Sequence, residues 1–92
     1  MNVLIVAYDL HEKPESAYET LISGIRQYSN TFEFQKSVWI IATERERANV
    51  RDYLKQFIQS DDKLFVGTLT NGSWTGGQTE LTNFLSNYWT IE

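Results

Sequence analysis

The chain has 92 residues, no cysteine and a formal net charge of −4. Its length predicts a single domain over residues 1–92, and the lack of cysteine excludes disulfides, thiolate catalysis and cysteine-bound zinc. No stretch reaches the roughly 20 apolar residues of a membrane span, and no basic segment precedes the N-terminal apolar run as in a secretion signal, so we expect a cytoplasmic protein without a membrane partner. The acidic charge disfavours long-range attraction to nucleic acid, although a local basic patch could still bind it.

The first predicted element is a strand over residues 2–9. Six apolar or aromatic residues in a row, from Val3 to Tyr8, are typical of a strand buried on both faces. Asp9 follows directly, so the sheet would fix its backbone while its carboxylate can still reach solvent. Asp9 is therefore the first candidate for chemistry.

An amphipathic helix is predicted over residues 14–29. Pro14 and Glu15 suit its first turn. Gly24 lies inside the helix at a cost of about 1 kcal/mol relative to alanine, which suggests close packing on the sheet. The apolar residues of the helix recur at three- and four-residue steps: Tyr18, Leu21, Ile22, Ile25 and Tyr28.

Residues 32–42 predict two strands joined by a tight turn, or one long strand with a bulge or kink near residues 35–37. A second helix is expected over residues 44–59, with Thr43 as its cap and Glu46 completing a capping box.

A further strand is predicted over residues 63–70, followed by a loop, residues 71–77, in which three glycines surround Trp74. A short third helix is expected over residues 78–88. Thr79 would cap it and Glu80 would lie in its first turn.

This order of elements predicts an α/β (α+β) fold, a ferredoxin-like βαββαβ split βαβ sandwich with a short C-terminal helix. Right-handed crossovers would place the first strand centrally, between the second and the last. Both faces of that strand are apolar, yet two helices cover only one face of a sheet. The other face needs a cover, which would be either a homodimer that buries sheet against sheet or the C-terminal helix folding over.

Three segments carry a resemblance to a known family: Tyr8-Asp9 at the end of the first strand, residues 35–39 in the second, and residues 61–66 at the start of the last. With the Trp- and Gly-containing loop, this pattern resembles the small ferredoxin-like CRISPR-associated adaptor/nuclease superfamily, which includes the VapD-type ribonuclease toxins. It is most similar to the stand-alone SinR-like branch.

The resemblance implies a homodimer in which two copies of Asp9 face each other across the two-fold axis. In nuclease members that pair is taken to hold one divalent metal, here Mg²⁺ or Mn²⁺. In CRISPR systems the protein is instead a non-catalytic, architectural partner that holds DNA for integration. The acidic charge of this chain, and the lack of a long basic surface, count against the integration role.

Asp9 also has a structural interpretation, as a strand-end carboxylate that caps the next turn through backbone N–H groups. His11, the only histidine, could act as a general base beside Asp9 or could be a solvated surface residue. Trp74 could stack on a base, or it could lock its loop onto a dimer partner.

Arg47, Arg51 and Lys55 are four residues apart and share one face of the second predicted helix, with Arg45 just before it. Together they could contact phosphates. The alternative is a solvated stripe that pairs with the neighbouring acids. Those acids are Glu44, Glu46 and Asp52.

Two functions stay open from the sequence. One is a dimeric, non-catalytic binding or architectural module in nucleic-acid-related defence or a toxin–antitoxin context. The other is a metal-dependent ribonuclease or deoxyribonuclease that uses paired Asp9. The acidic charge, the single histidine and the lack of a second carboxylate on the first strand favour the module.

Overall fold

The computed structural model describes residues 1–89, so the predicted domain of residues 1–92 extends three residues beyond the described part. The type and order of every predicted element are confirmed, and the chain is an α+β protein. No helix in residues 1–89 is long and apolar enough to cross a membrane. In chain order the elements are β1 (Asn2–Asp9), α1 (Glu15–Ile25), β2 (Asn30–Gln35), β3 (Val38–Thr43), α2 (Arg47–Lys55), β4 (Lys63–Thr68) and α3 (Gln78–Leu85).

The four strands form one antiparallel sheet in the order β2-β3-β1-β4. β1 has the expected central position, with Val6 opposite Trp39 of β3 on one side and Val66 of β4 on the other. α1 and α2 each cross over one intervening strand, which places β1 in the interior of the sheet, where its residues 3–8 are apolar or aromatic.

The two alternatives for residues 32–42 are resolved in favour of two strands. Only Lys36 and Ser37 separate β2 from β3, and Ser37 takes a positive φ of 65° in this tight turn. The pairing also shifts register between Glu33 and Gln35.

The first face of the sheet, which carries Leu4 and Val6 of β1, packs under α1 and α2. Leu21 of α1 and Leu54 of α2 are fully buried against it. This face is closed, because side chains from both helices fill the space above the central strands.

Gly24 makes room for an aromatic ring where α1 meets the segment after α2. A Cβ added at Gly24 would lie 2.5 Å from Cε2 of Phe57, which follows α2 in the chain. Close packing at Gly24 is therefore observed, with Phe57 as its nearest partner.

The second face, which carries Val3 and Ile5 of β1 and Ile40 of β3, lies partly under α3. Leu81 and Leu85 of α3 are 4% and 2% exposed where they meet it. Of the two predicted covers, folding over of the C-terminal helix is the one observed. The half-buried side chains around this contact are Ile5, Phe32, Phe34, Leu69, Trp74, Phe84, Tyr88 and Trp89.

α3 leaves one end of the second face uncovered. Phe65 of β4 is 64% exposed and lies opposite Ala7 of β1, and Val38 of β3 lies opposite Ala7 on the other side. Asp9 and Lys63 are opposite one another at the rim, and both are exposed. We call these five residues the open end. Because α3 already covers part of the second face, a second copy could not bury the whole of it. A homodimer contact on this face is therefore possible only at the open end.

The predicted caps of the second and third helices are wrong. Because β3 continues to Thr43, three residues are needed to turn from the sheet into α2, whose N-cap is Glu46. The Thr43 hydroxyl accepts a hydrogen bond from Arg45 N instead, at 3.1 Å. α3 begins after Gly77, which takes a left-handed φ of 59° that glycine adopts without strain, so Thr79 lies inside the helix.

Candidate functional site

The Tyr8-Asp9 pair divides between the two faces of the sheet, as alternation along a strand requires. Tyr8 is buried on the first face, where its hydroxyl accepts a hydrogen bond from Trp39 Nε1 at 3.3 Å. Burial is the main cause that raises the pKa of Tyr8. Asp9 is on the second face, at the rim of the open end, so the two side chains do not form one site.

Asp9 is exposed, and within residues 1–89 its carboxylate forms no ion pair, not even with Lys63 opposite it. It does not cap the turn that follows β1. The backbone N–H of His11 in that turn donates to Asp62 Oδ1 at 2.8 Å.

Asp62 is the centre of an ionic cluster that sequence reasoning missed. Its side chain is 2% exposed, and it accepts from Lys13 Nζ at 3.0 Å and from Gln59 N at 2.9 Å. Lys13 Nζ also lies 2.9 Å from Asp61 Oδ1. We call Lys13, Asp61 and Asp62 the loop clamp, because they join the turn after β1 to the turn before β4.

Hydrogen bonds shift the pKa of each residue of the clamp. The hydrogen bond from Lys13 is the main cause that lowers the pKa of Asp61, and the Gln59 amide is the main cause that lowers the pKa of Asp62. The hydrogen bond to Asp61 is the main cause that raises the pKa of Lys13. All three groups are therefore held in their charged forms at neutral pH, which is the behaviour of a structural cluster.

His11 lies in the turn after β1 with its side chain 63% exposed, and its Nε2 is 3.6 Å from Glu12 Oε2. The backbone of His11 is fixed by Asp62, while the imidazole is solvated. A general-base role for His11 stays a prediction.

The basic residues of α2 are exposed along the helix, with Arg47 at its first position and Lys55 at its last. We call Arg47, Arg51 and Lys55 the α2 stripe. Arg51 pairs with its neighbour Asp52, at 3.0 Å from Nε and 2.8 Å from Nη2. Within residues 1–89 this is the one ion pair that α2 makes. The predicted pairing of the basic residues with neighbouring acids is therefore seen for Arg51 and not for Arg47 or Lys55.

Trp74 is half-buried and packs into the cluster between α3 and the second face of the sheet. Part of its ring is therefore used to hold the loop before α3 in place. Base stacking by Trp74 stays a prediction. In the structure, Trp74 packs against residues of its own chain.

Within residues 1–89 no three carboxylates or imidazoles converge as they would in a metal site built from one copy of the chain. Asp9 provides the oxygen donor that Mg²⁺ prefers, and Mg²⁺ is usually held by one or two carboxylates together with waters or substrate phosphates. A second copy that brings its own Asp9 close would complete such a pair.

The chain was compared with models of known protein families, and no family model matches it.

Proposed function

We propose that the chain is a homodimeric, non-catalytic binding module of the small ferredoxin-like CRISPR-associated adaptor superfamily, and that it contacts nucleic acid through the α2 stripe. The ferredoxin-like assignment is supported by the strand order, which from the other edge reads β4-β1-β3-β2, with all neighbours antiparallel. The proposal depends most on the open end of the second face.

The open end combines an exposed apolar centre with a charged rim, as a small two-fold interface does. Phe65 exposes 64% of its surface beside Ala7 and Val38, and aromatic side chains of this kind dominate interface energetics. A stable dimer usually buries about 800 Å² per partner, so the rim must take part as well as the apolar centre.

The rim carries one charge of each sign, because Asp9 and Lys63 lie opposite each other in the β1–β4 ladder. A two-fold axis through the open end can therefore bring Asp9 of one copy to Lys63 of the other. In such an arrangement Lys63 of the other copy would neutralise Asp9, and Asp9 would serve binding and not catalysis.

A charge-exchange series tests this arrangement. Asp9→Lys and Lys63→Asp should each weaken the dimer because they place like charges across the axis, and the double exchange should restore it. Sedimentation equilibrium gives the dimer dissociation constant for each variant. Failure of the double exchange to recover any affinity would contradict Asp9–Lys63 pairing.

Nucleic-acid binding by the α2 stripe needs its own assay. Fluorescence anisotropy with a labelled single-stranded oligonucleotide should show binding at 50 mM salt that weakens steeply as salt rises. The triple variant Arg47→Gln, Arg51→Gln, Lys55→Gln should lose that binding. No binding by the wild type at 50 mM salt would remove nucleic acid as a partner.

A second candidate, a metal-dependent endonuclease, is favoured by the carboxylate of Asp9, which is exposed and forms no ion pair within residues 1–89. If two copies of Asp9 face each other, they would hold Mg²⁺ or Mn²⁺, which can activate water and offset charge on a phosphodiester. Mg²⁺ should then strengthen the wild-type dimer and not the Asp9→Asn dimer. Cleavage of RNA and of DNA should also be measured for both proteins. If Asp9→Asn cleaves as fast as the wild type, the activity comes from a contaminant and this candidate is removed.

A further inference from the structure

A groove lies between the end of α1 and the start of α2, away from the open end. It encloses about 420 Å³ and is lined by Gln27, Tyr28, Arg45, Asn49 and Tyr53. The chain carries 12 acidic and 8 basic residues, yet no carboxylate from residues 1–89 lines this groove, and the one charged group from those residues that does is positive. The groove therefore suits an anionic ligand with an aromatic part.

Two tyrosines give the groove its aromatic walls. The rings of Tyr28 and Tyr53 are 5.8 Å apart and nearly perpendicular, and Tyr53 packs in the same way on Phe57 at 5.5 Å. Both tyrosines are half-buried against the core, so their rings are held in place before any ligand arrives. Within residues 1–89 neither phenol hydroxyl makes a hydrogen bond to the protein, which leaves both able to bond a ligand.

Arg45 provides the positive charge from a fixed backbone position. Its carbonyl oxygen accepts from Asn2 Nδ2 at 2.9 Å, and its N–H donates to the Thr43 hydroxyl. Burial and the nearby Tyr53 raise the pKa of Tyr28, while the Arg45 charge acts in the opposite direction, so Tyr28 stays a hydrogen-bond donor at neutral pH. Within residues 1–89 Arg45 forms no ion pair.

We propose that this groove binds a nucleoside monophosphate, either as a free nucleotide or as an unpaired residue of single-stranded nucleic acid. The base packs on the tyrosine rings, Arg45 contacts the phosphate, and the amides of Gln27 and Asn49 bond the base edge or the sugar. The groove lies within the size range of small-ligand sites. This inference deepens the nucleic-acid contact proposed for the α2 stripe and does not depend on the dimer.

The test is a ¹H–¹⁵N NMR titration of the full chain with adenosine 5′-monophosphate. We expect shifts at the amides of Gln27, Tyr28, Asn49 and Tyr53, with a dissociation constant of about 1 mM. Adenosine and ribose 5-phosphate, which lack the phosphate and the base respectively, should each bind more weakly.

Three variants locate the interaction. Arg45→Gln should weaken adenosine 5′-monophosphate binding about tenfold, because it removes a charge-assisted contact. Lys36→Gln removes one positive charge from an exposed turn outside the groove and should change binding less than twofold. Tyr53→Leu, checked for folding by the same spectra, should weaken binding at least about fivefold through lost stacking, and Tyr53→Phe should keep most of that stacking.

The source of the nucleotide follows from a second titration, with a single-stranded hexamer of deoxyadenosine. Tighter binding of the hexamer than of the mononucleotide, with the same groove shifts, identifies single-stranded nucleic acid; equal binding identifies a free nucleotide. Shifts confined to the α2 stripe would overturn the groove while leaving the proposed function intact. Equal dissociation constants for Arg45→Gln and Lys36→Gln, or no groove shifts at about 20 mM adenosine 5′-monophosphate, would also overturn it.

Discussion

The first face of the sheet lies under two helices, whereas the second lies under one short helix that reaches only part of it. On the first face Leu4, Leu21 and Leu54 have no exposed surface at all, while on the second Phe65 is mostly exposed. Both faces are equally apolar in sequence, so pattern alone does not distinguish them. The length and position of α3, rather than the strands, therefore decide where on the sheet a partner could bind.

The largest expected effects come from matched truncations on the two faces. Leu54→Ala on the first face should lower the free energy of unfolding by about 3–5 kcal/mol, because it opens a cavity among fully buried side chains. Leu85→Ala on α3 should cost about 2–3 kcal/mol, since the thinner cover can relax into the space. Urea denaturation measures both, and an equal or larger loss for Leu85→Ala would contradict the comparison.

The contact between α1 and Phe57 should be the next most sensitive. Gly24→Ala should destabilise the protein by about 1–2 kcal/mol, since the added methyl group overlaps the Phe57 ring and outweighs the better helix propensity of alanine. In a Phe57→Leu background the same change should become neutral or stabilising. A destabilisation that persists in that background would show that the ring is not the cause.

The loop clamp should give stability a defined pH dependence. The folded-state pKa values of Asp61 and Asp62 are below the ordinary 3.8, so their contribution is complete above that value and is lost as pH falls through the folded-state values. The pKa of Lys13 is raised above 10.5, so its contribution is complete below that value and is lost as pH rises through the folded-state value.

Lys13→Met tests the clamp by urea denaturation at several pH values. The variant should no longer lose stability at alkaline pH, and it should lose less stability than the wild type at acid pH. Part of the acid loss should remain, because backbone amides still donate hydrogen bonds to Asp62. Lys36→Met is the matched control, because Lys36 is an exposed lysine outside the clamp. Identical pH profiles of stability for the two variants would show that the clamp does not contribute to the pH dependence.

The smallest effect on folding is expected at the open end. Phe65→Ser should change the free energy of unfolding of the monomer by no more than about 0.5 kcal/mol, because the side chain is mostly in water. Denaturation at low protein concentration checks this, and a large loss would mean that Phe65 supports the fold rather than an interface.

Hydrophobic periodicity and turn residues were enough to predict the helices and strands, except that the division of residues 32–42 into β2 and β3 stayed open. The right-handed crossover rule predicted the central position of β1. Helix caps were not predictable in the same way, because the path of the chain out of β3 places Thr43 in the sheet and gives the N-cap of α2 to Glu46. Gly24 was recognised as a close contact, but its partner, Phe57, is distant in sequence.

The candidate site was predictable only where it depends on a single residue. The exposed position of Asp9 follows from its place at the end of an apolar strand. The role of Asp62 does not, since its partners His11 and Lys13 lie 51 and 49 residues away. The groove was not predictable for the same reason, since its residues are distant in sequence. Tyr28 and Tyr53 were recognised as apolar helix positions and Arg45 as part of a basic run. Nothing in the local sequence indicates that the three lie together.

Sedimentation equilibrium of the wild type and of Phe65→Ser shows whether a second copy covers the open end. We predict that the wild type dimerises and that Phe65→Ser weakens the dimer at least about tenfold while the monomer stays folded. A wild type that stays monomeric at the highest concentrations, or a dimer that Phe65→Ser leaves unchanged, would contradict it.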